Sequence, residues 1–99
     1  MATSASKAYG KCVGCRQRSG FACTNRFRVN ANKHVIDVWL LFCCERCGAR
    51  IRVPILERVP VSKISAQDLD AFHMNDLQMA ARLGRDMTML RRAGLSTRA

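Results

Sequence analysis

The chain has 99 residues, six cysteines, and 17 lysines and arginines against seven acids, giving a formal net charge of +10. That length holds one hydrophobic core rather than two, and 48% apolar residues excludes general disorder. The longest apolar stretch, Val35 to Cys44, is interrupted by Asp37 and is too short to cross a bilayer.

Residues 1–10 lack the apolar run of a signal peptide and read as a flexible N-terminal tail. A first cysteine pair follows at Cys12-Val13-Gly14-Cys15, and a second at Cys44-Glu45-Arg46-Cys47 with Gly48 behind it. Between the pairs, Phe21 to Val29 alternates, with Asn25, Phe27 and Val29 on one side and Arg26 and Arg28 on the other, as a half-buried strand does. Val35 to Cys43 is apolar at both parities and β-branched at its start, the pattern of a central strand buried on both faces. A third strand places Ile51, Val53 and Ile55 against Arg50, Arg52 and Pro54, and Pro54 assigns it to a sheet edge because proline cannot donate to a ladder. The expectation is a three-stranded antiparallel meander with Trp39 in its middle strand. With Asn32-Lys33 as a two-residue turn, Arg28 faces Asp37, Phe27 faces Val38, and Arg26 faces Trp39 in a cation–π contact.

Beyond Pro60 the period changes. Ser65 followed by Asp68 resembles a capping box. Leu69, Phe72, Leu77, Ala80, Leu83, Met87 and Leu90 then form an amphipathic stripe. Asn75-Asp76 can end one helix and cap the next, so two short helices are expected, closed by Gly94 behind Arg91 and Arg92. The chain thus divides into a tail (1–10), a zinc-ribbon-like domain (11–63), a helical segment (64–94) and a flexible tail (95–99). The fold class is α+β.

Two Cys-x-x-Cys pairs in a short chain without a secretory signal point to one structural Zn²⁺ held by Cys12, Cys15, Cys44 and Cys47. A pair of cysteines two residues apart reaches one ion from a single tight turn, and a glycine after the second thiolate relieves that turn, as Gly48 does. Iron in a four-thiolate shell and disulfides are the competing uses. Cys43 could replace Cys44, but only Cys44 completes the CxxCG turn. Cys43 and Cys23 read as small apolar packing residues.

The segments Asn25-Arg26-Phe27-Arg28-Val29-Asn30-Ala31-Asn32, Asp37-Val38-Trp39-Leu40-Leu41, Cys44-x-x-Cys47 and Phe72-His73-x-Asn75-Asp76 together resemble the bacterial family known as domain of unknown function 1062. The likeness covers roughly residues 11–92. It implies a bacterial cytoplasmic protein with a zinc-ribbon-like half, its CxxC pairs falling on Cys12, Cys15, Cys44 and Cys47. Members of the family commonly continue past the position where this sequence ends. The family carries no assigned function.

Function must therefore be argued from charge. Residues 1–63 carry a net +9 and residues 64–99 only +1, so the excess sits on the cysteine-bearing half. A polyanion is the first partner such a surface suggests. The expected ligand is nucleic acid, RNA before DNA, or a larger ribonucleoprotein, contacted at its phosphates by arginines among Arg16, Arg18, Arg26, Arg46, Arg50 and Arg52. Phe21, Phe27 and Trp39 all read as core, which leaves few aromatics for base stacking. The alternative is a protein-interaction adaptor docking through the helical face, where Met74, Met79, Met87 and Met89 lie. A redox or iron-binding protein is a third class. With two histidines, no paired carboxylates at helical spacing and no phosphate-binding glycine loop, the chain does not read as an enzyme, and no small-molecule substrate or membrane role is inferred.

Overall fold

In the computed structural model, which describes residues 7–98, the alternating segments form one four-stranded antiparallel sheet. Its strands β1 (Lys7–Lys11), β2 (Arg18–Asn32), β3 (Val35–Cys44) and β4 (Arg50–Pro60) lie in the order β1-β2-β3-β4. The α+β class holds, with one strand more than the meander expected. That strand, β1, lies largely within the stretch read as a tail. Lys-Ala-Tyr-Gly-Lys has no β-branched residue to announce it, and it exists because β2 extends back to Arg18 and offers it a partner. Pro54 does lie on an edge strand, directly opposite Trp39.

The period of two sorts β3 cleanly. Ile36, Val38, Leu40, Phe42 and Cys44 are buried, whereas Val35, Asp37, Trp39, Leu41 and Cys43 point the other way and are only half-buried. The reading of β3 as core on both faces is therefore corrected. One face is core and the other, although apolar in composition, is not covered by the helices.

The β2–β3 hairpin turns at Lys33-His34, with Lys33 in the left-handed region at φ 52°. The register is two positions from the one expected: Arg28 faces Trp39, Val29 faces Val38 and Asn30 faces Asp37. A shift of two keeps every side chain on its own face, so hydrophobic patterning cannot distinguish the two registers. The expected Arg28–Asp37 pair does not form. Asp37 instead accepts the backbone N–H of Arg58 at 2.9 Å. A bulge between Cys23 and Arg26 then changes the pairing offset, with Asn25 left-handed at φ 60° and Thr24 Oγ1 donating to Leu41 O at 2.8 Å.

After a single 3₁₀ turn (Val61–Lys63) come three helices, not two: α1 (Ala66–His73), α2 (Leu77–Leu83) and α3 (Met87–Arg92). Ser65 and Asp76 cap the first two as their side chains suggest. The second break, at Gly84-Arg85-Asp86, is masked in sequence because Leu83, Met87 and Leu90 keep helical spacing across it. Asp86 Oδ1 accepts the N–H groups of Thr88 and Met89 at 2.9 and 3.1 Å, and a six-residue helix depends on such a cap. Asp86→Ala is expected to cost about 1 kcal/mol, lowering Tm by roughly 4–8 °C in a thermal melt followed by circular dichroism.

The helices lie on the buried face of the sheet. Phe72, Met79, Ala80, Leu90 and Leu95 join Phe27, Ile36, Leu40 and Phe42 in one core. The Phe72 ring meets Phe27 edge-on, centroids 5.1 Å apart at 77°. Asn75, left-handed at φ 53°, turns its Oδ1 to accept the N–H of Phe27 at 2.6 Å. The Phe72-His73-Met74-Asn75-Asp76 segment therefore locks the α1–α2 turn onto β2 just past its bulge, and His73 Nδ1 sits 2.9 Å from Leu69 O as a structural contact. The expected C-terminal tail is also tied down in part: Leu95 is buried, and Tyr9 and Ser96 exchange two backbone hydrogen bonds of 2.8 Å. No helix among the described residues is long and apolar enough to cross a membrane.

Candidate metal centre and the basic sheet face

Both cysteine pairs sit at the same end of the sheet, Cys44 as the last residue of β3 and the other three in loops, because the β1–β2 and β3–β4 connections emerge there side by side. The Sγ atoms of Cys12, Cys15, Cys44 and Cys47 all lie within 4.8 Å of one another, and those of Cys12 and Cys47 are 3.6 Å apart. A tetrahedron with metal–sulfur bonds of ~2.3 Å has edges of about 3.8 Å, so the cluster matches a four-thiolate shell closely. All six cysteines are free thiols. Cys43 lies outside the cluster, its thiol donating to Gly48 O at 3.5 Å, and Cys23 is buried on the core face, where burial pushes its thiol pKa up.

The turns are built alike. Cys12 N–H donates to Gln17 O at 2.9 Å, and Cys44 N–H to Ala49 O at 2.8 Å, closing the two loops. The residue after each second cysteine is left-handed: Gly48 at φ 78° and, in the first loop, Arg16 at φ 59°. Glycine takes that conformation without strain, whereas a side chain there carries a steric cost. Gly14 is needed for another reason. A Cβ at this position would come within 2.9 Å of Ala49 Cβ and 3.2 Å of Cys47 Sγ, so the loops can close on each other only over a bare backbone.

Four thiols this close cannot ionise independently. The Cys47 and Arg46 N–H groups favour the Cys44 thiolate and bring its pKa down to about 6 against the cost of burial. The Ser19 hydroxyl lowers that of Cys15. Cys47 goes the other way, up to about 11: the Ala49 N–H favours its thiolate, but desolvation and the neighbouring sulfurs of Cys12, Cys44 and Cys15 outweigh it. A divalent cation at the centre removes this conflict, since it attracts all four charges together. The donor set fits a metal ion.

The six arginines expected to contact phosphate fall into two groups, all exposed. Arg16, Arg18 and Arg46 surround the cysteine loops. Two of them are engaged, Arg46 donating to Gln17 Oε1 at 2.7 Å and Arg18 to Ser96 Oγ and Arg98 O at 3.4 and 3.3 Å. Arg26, Arg50 and Arg52 lie instead on the sheet face opposite the helices, which no other described element covers. There, cross-strand rows run Arg28–Trp39–Pro54, Arg26–Leu41–Arg52 and Ala22–Cys43–Arg50. Arg28, assigned in sequence to a structural pair with Asp37, belongs to this group. The cation–π contact on Trp39 comes from Arg52, 5.5 Å from the ring centroid, not from Arg26. Phe21 and Phe27 are core, but Trp39 is not. The signal was present in Asp37, an acid at the same parity as Trp39, which marks that face of β3 as the solvent side.

The family described as "Protein of unknown function (DUF1062)" matches residues 29–99. The matched span includes Cys44 and Cys47 but not Cys12 and Cys15, and so begins later than the resemblance drawn from residue 11. No curated protein and no solved structure matches the chain.

Proposed function

This chain belongs to the DUF1062 family, and we propose that it is a small basic binding protein of the cytoplasm, not an enzyme, whose ligand is nucleic acid. RNA, alone or within a ribonucleoprotein, is the preferred form. Zn²⁺, one per chain, is the ion this reading assigns to Cys12, Cys15, Cys44 and Cys47. Its role is structural, because four thiolates leave no open position for water or substrate.

One observation carries the reading. Arg26, Arg28, Arg50 and Arg52 flank a single uncovered sheet face, and Arg16, Arg18 and Arg46 extend the same charge around the adjoining cysteine loops. Guanidinium groups suit phosphate because their planar fork donates two hydrogen bonds at once. If about four of them contact phosphates, log affinity should fall with log salt at a slope of roughly −3 to −4. Changing Arg50 and Arg52 together to Ala should flatten that slope by roughly one to two and leave the fold intact. Fluorescence anisotropy with RNA and duplex DNA across a salt series reads both. No binding to either at low salt refutes the proposal.

The adaptor reading retains a specific support. Met74, Leu77 and Met87 are 78%, 67% and 56% exposed on the helical side, although Met79 of the same stripe is buried. An adaptor predicts loss of a protein partner on altering that face and no salt slope toward nucleic acid.

A further inference from the structure

Resting on the nucleic-acid reading, we propose that the uncovered face of the sheet is a single-strand platform, on which a base stacks against Trp39 while Arg26, Arg28, Arg50 and Arg52 hold the flanking phosphates. The bound chemistry is single-stranded nucleic acid, not duplex.

The face has the parts this requires in the order it requires them. Trp39 lies mid-strand on β3, an interior strand paired with β2 and β4, so its backbone is held by two ladders. Leu41 and Cys43 continue an apolar strip along the same parity. Arg28 and Arg26 border that strip on β2, Arg52 and Arg50 border it on β4, and all four are exposed. With strands ~4.8 Å apart, Arg26 and Arg52 stand about 10 Å from each other across Leu41. A strip of that width admits one strand of nucleic acid with its bases down and its phosphates at the margins. A duplex buries its bases and presents only phosphate to such a surface.

Trp39 is half-buried on the side of β3 away from the helices. Arg52, itself exposed, already lays its guanidinium over the Trp39 ring, and a planar cation there marks where a planar base can stack, beside it or in its place. Asp37, a carboxylate on this face, is engaged with the N–H of Arg58. The helices occupy the opposite face and leave the platform clear among the described residues.

Trp39 is the chain's one tryptophan, so its fluorescence reports on this site alone. The test titrates the metal-loaded protein with single-stranded RNA, single-stranded DNA and a duplex of equal length. Quenching by both single strands is expected, with weaker binding and little quenching by the duplex. Because both variants lack the indole, their affinity is read from the anisotropy of a labelled strand: Trp39→Leu, which keeps apolar bulk but removes the π face, should lose roughly 5- to 100-fold for single strands, and Trp39→Phe should recover most of it. Unchanged circular dichroism of both variants separates this loss from misfolding. If wild type binds single strand and duplex alike, without quenching and without an effect of Trp39→Leu, the platform is refuted while the phosphate reading stands. If no nucleic acid binds at low salt, both fall.

Discussion

Cys44→Ser is expected to abolish stoichiometric metal binding and to lower Tm by about 16–32 °C. The loops carrying Cys12, Cys15 and Cys47 converge on Cys44, and the four sulfurs lie within 4.8 Å of one another. An ion present at a thousand times its Kd stabilises the folded chain by about 4 kcal/mol, and each kcal/mol moves the Tm of a domain this size by about 4–8 °C. Chelation should reproduce the shift, and native mass spectrometry before and after should show one zinc ion lost per chain. Protons compete with the ion for the same sulfur lone pairs, so affinity should fall as the pH falls below neutrality. Cys43→Ser is the control, since its sulfur lies outside the cluster, and it should leave both metal content and Tm nearly unchanged. A chain that melts at the same temperature with and without chelator would refute the structural role.

Phe42→Ala should destabilise the metal-loaded protein by about 3–5 kcal/mol. Phe42 is fully buried on the core face of β3, between Cys23 on β2 and Ile51 on β4, and its removal leaves a void that the sheet cannot close. Leu41→Ala, one position away, removes a half-buried side chain from the open face and should cost less than half as much. Urea unfolding monitored by circular dichroism gives both values. Equal costs would mean that both faces of β3 are packed, which would also remove the platform on which Trp39 is proposed to act.

The α+β class, the two cysteine pairs, the edge position of Pro54 and the caps at Ser65 and Asp76 were all legible in the residues. Each rests on chemistry confined to a few neighbouring residues. A CxxC turn, a proline without an N–H and a side-chain cap need no distant partner to declare themselves. Three other features depend on partners distant in the chain. β1 forms because β2 runs far enough to pair with it, and the segment's own propensity would not have ordered it. The hairpin register depends on a turn at Lys33-His34 and a bulge at Asn25, and a two-residue shift is invisible to a pattern of period two. The placement of Trp39 was decided by where the helices went. An apolar strand reads as buried on both sides, but α1, α2 and α3 cover only one side of the sheet. The indole is thereby left on the open face beside Arg28 and Arg52, where composition alone would have put it in the core.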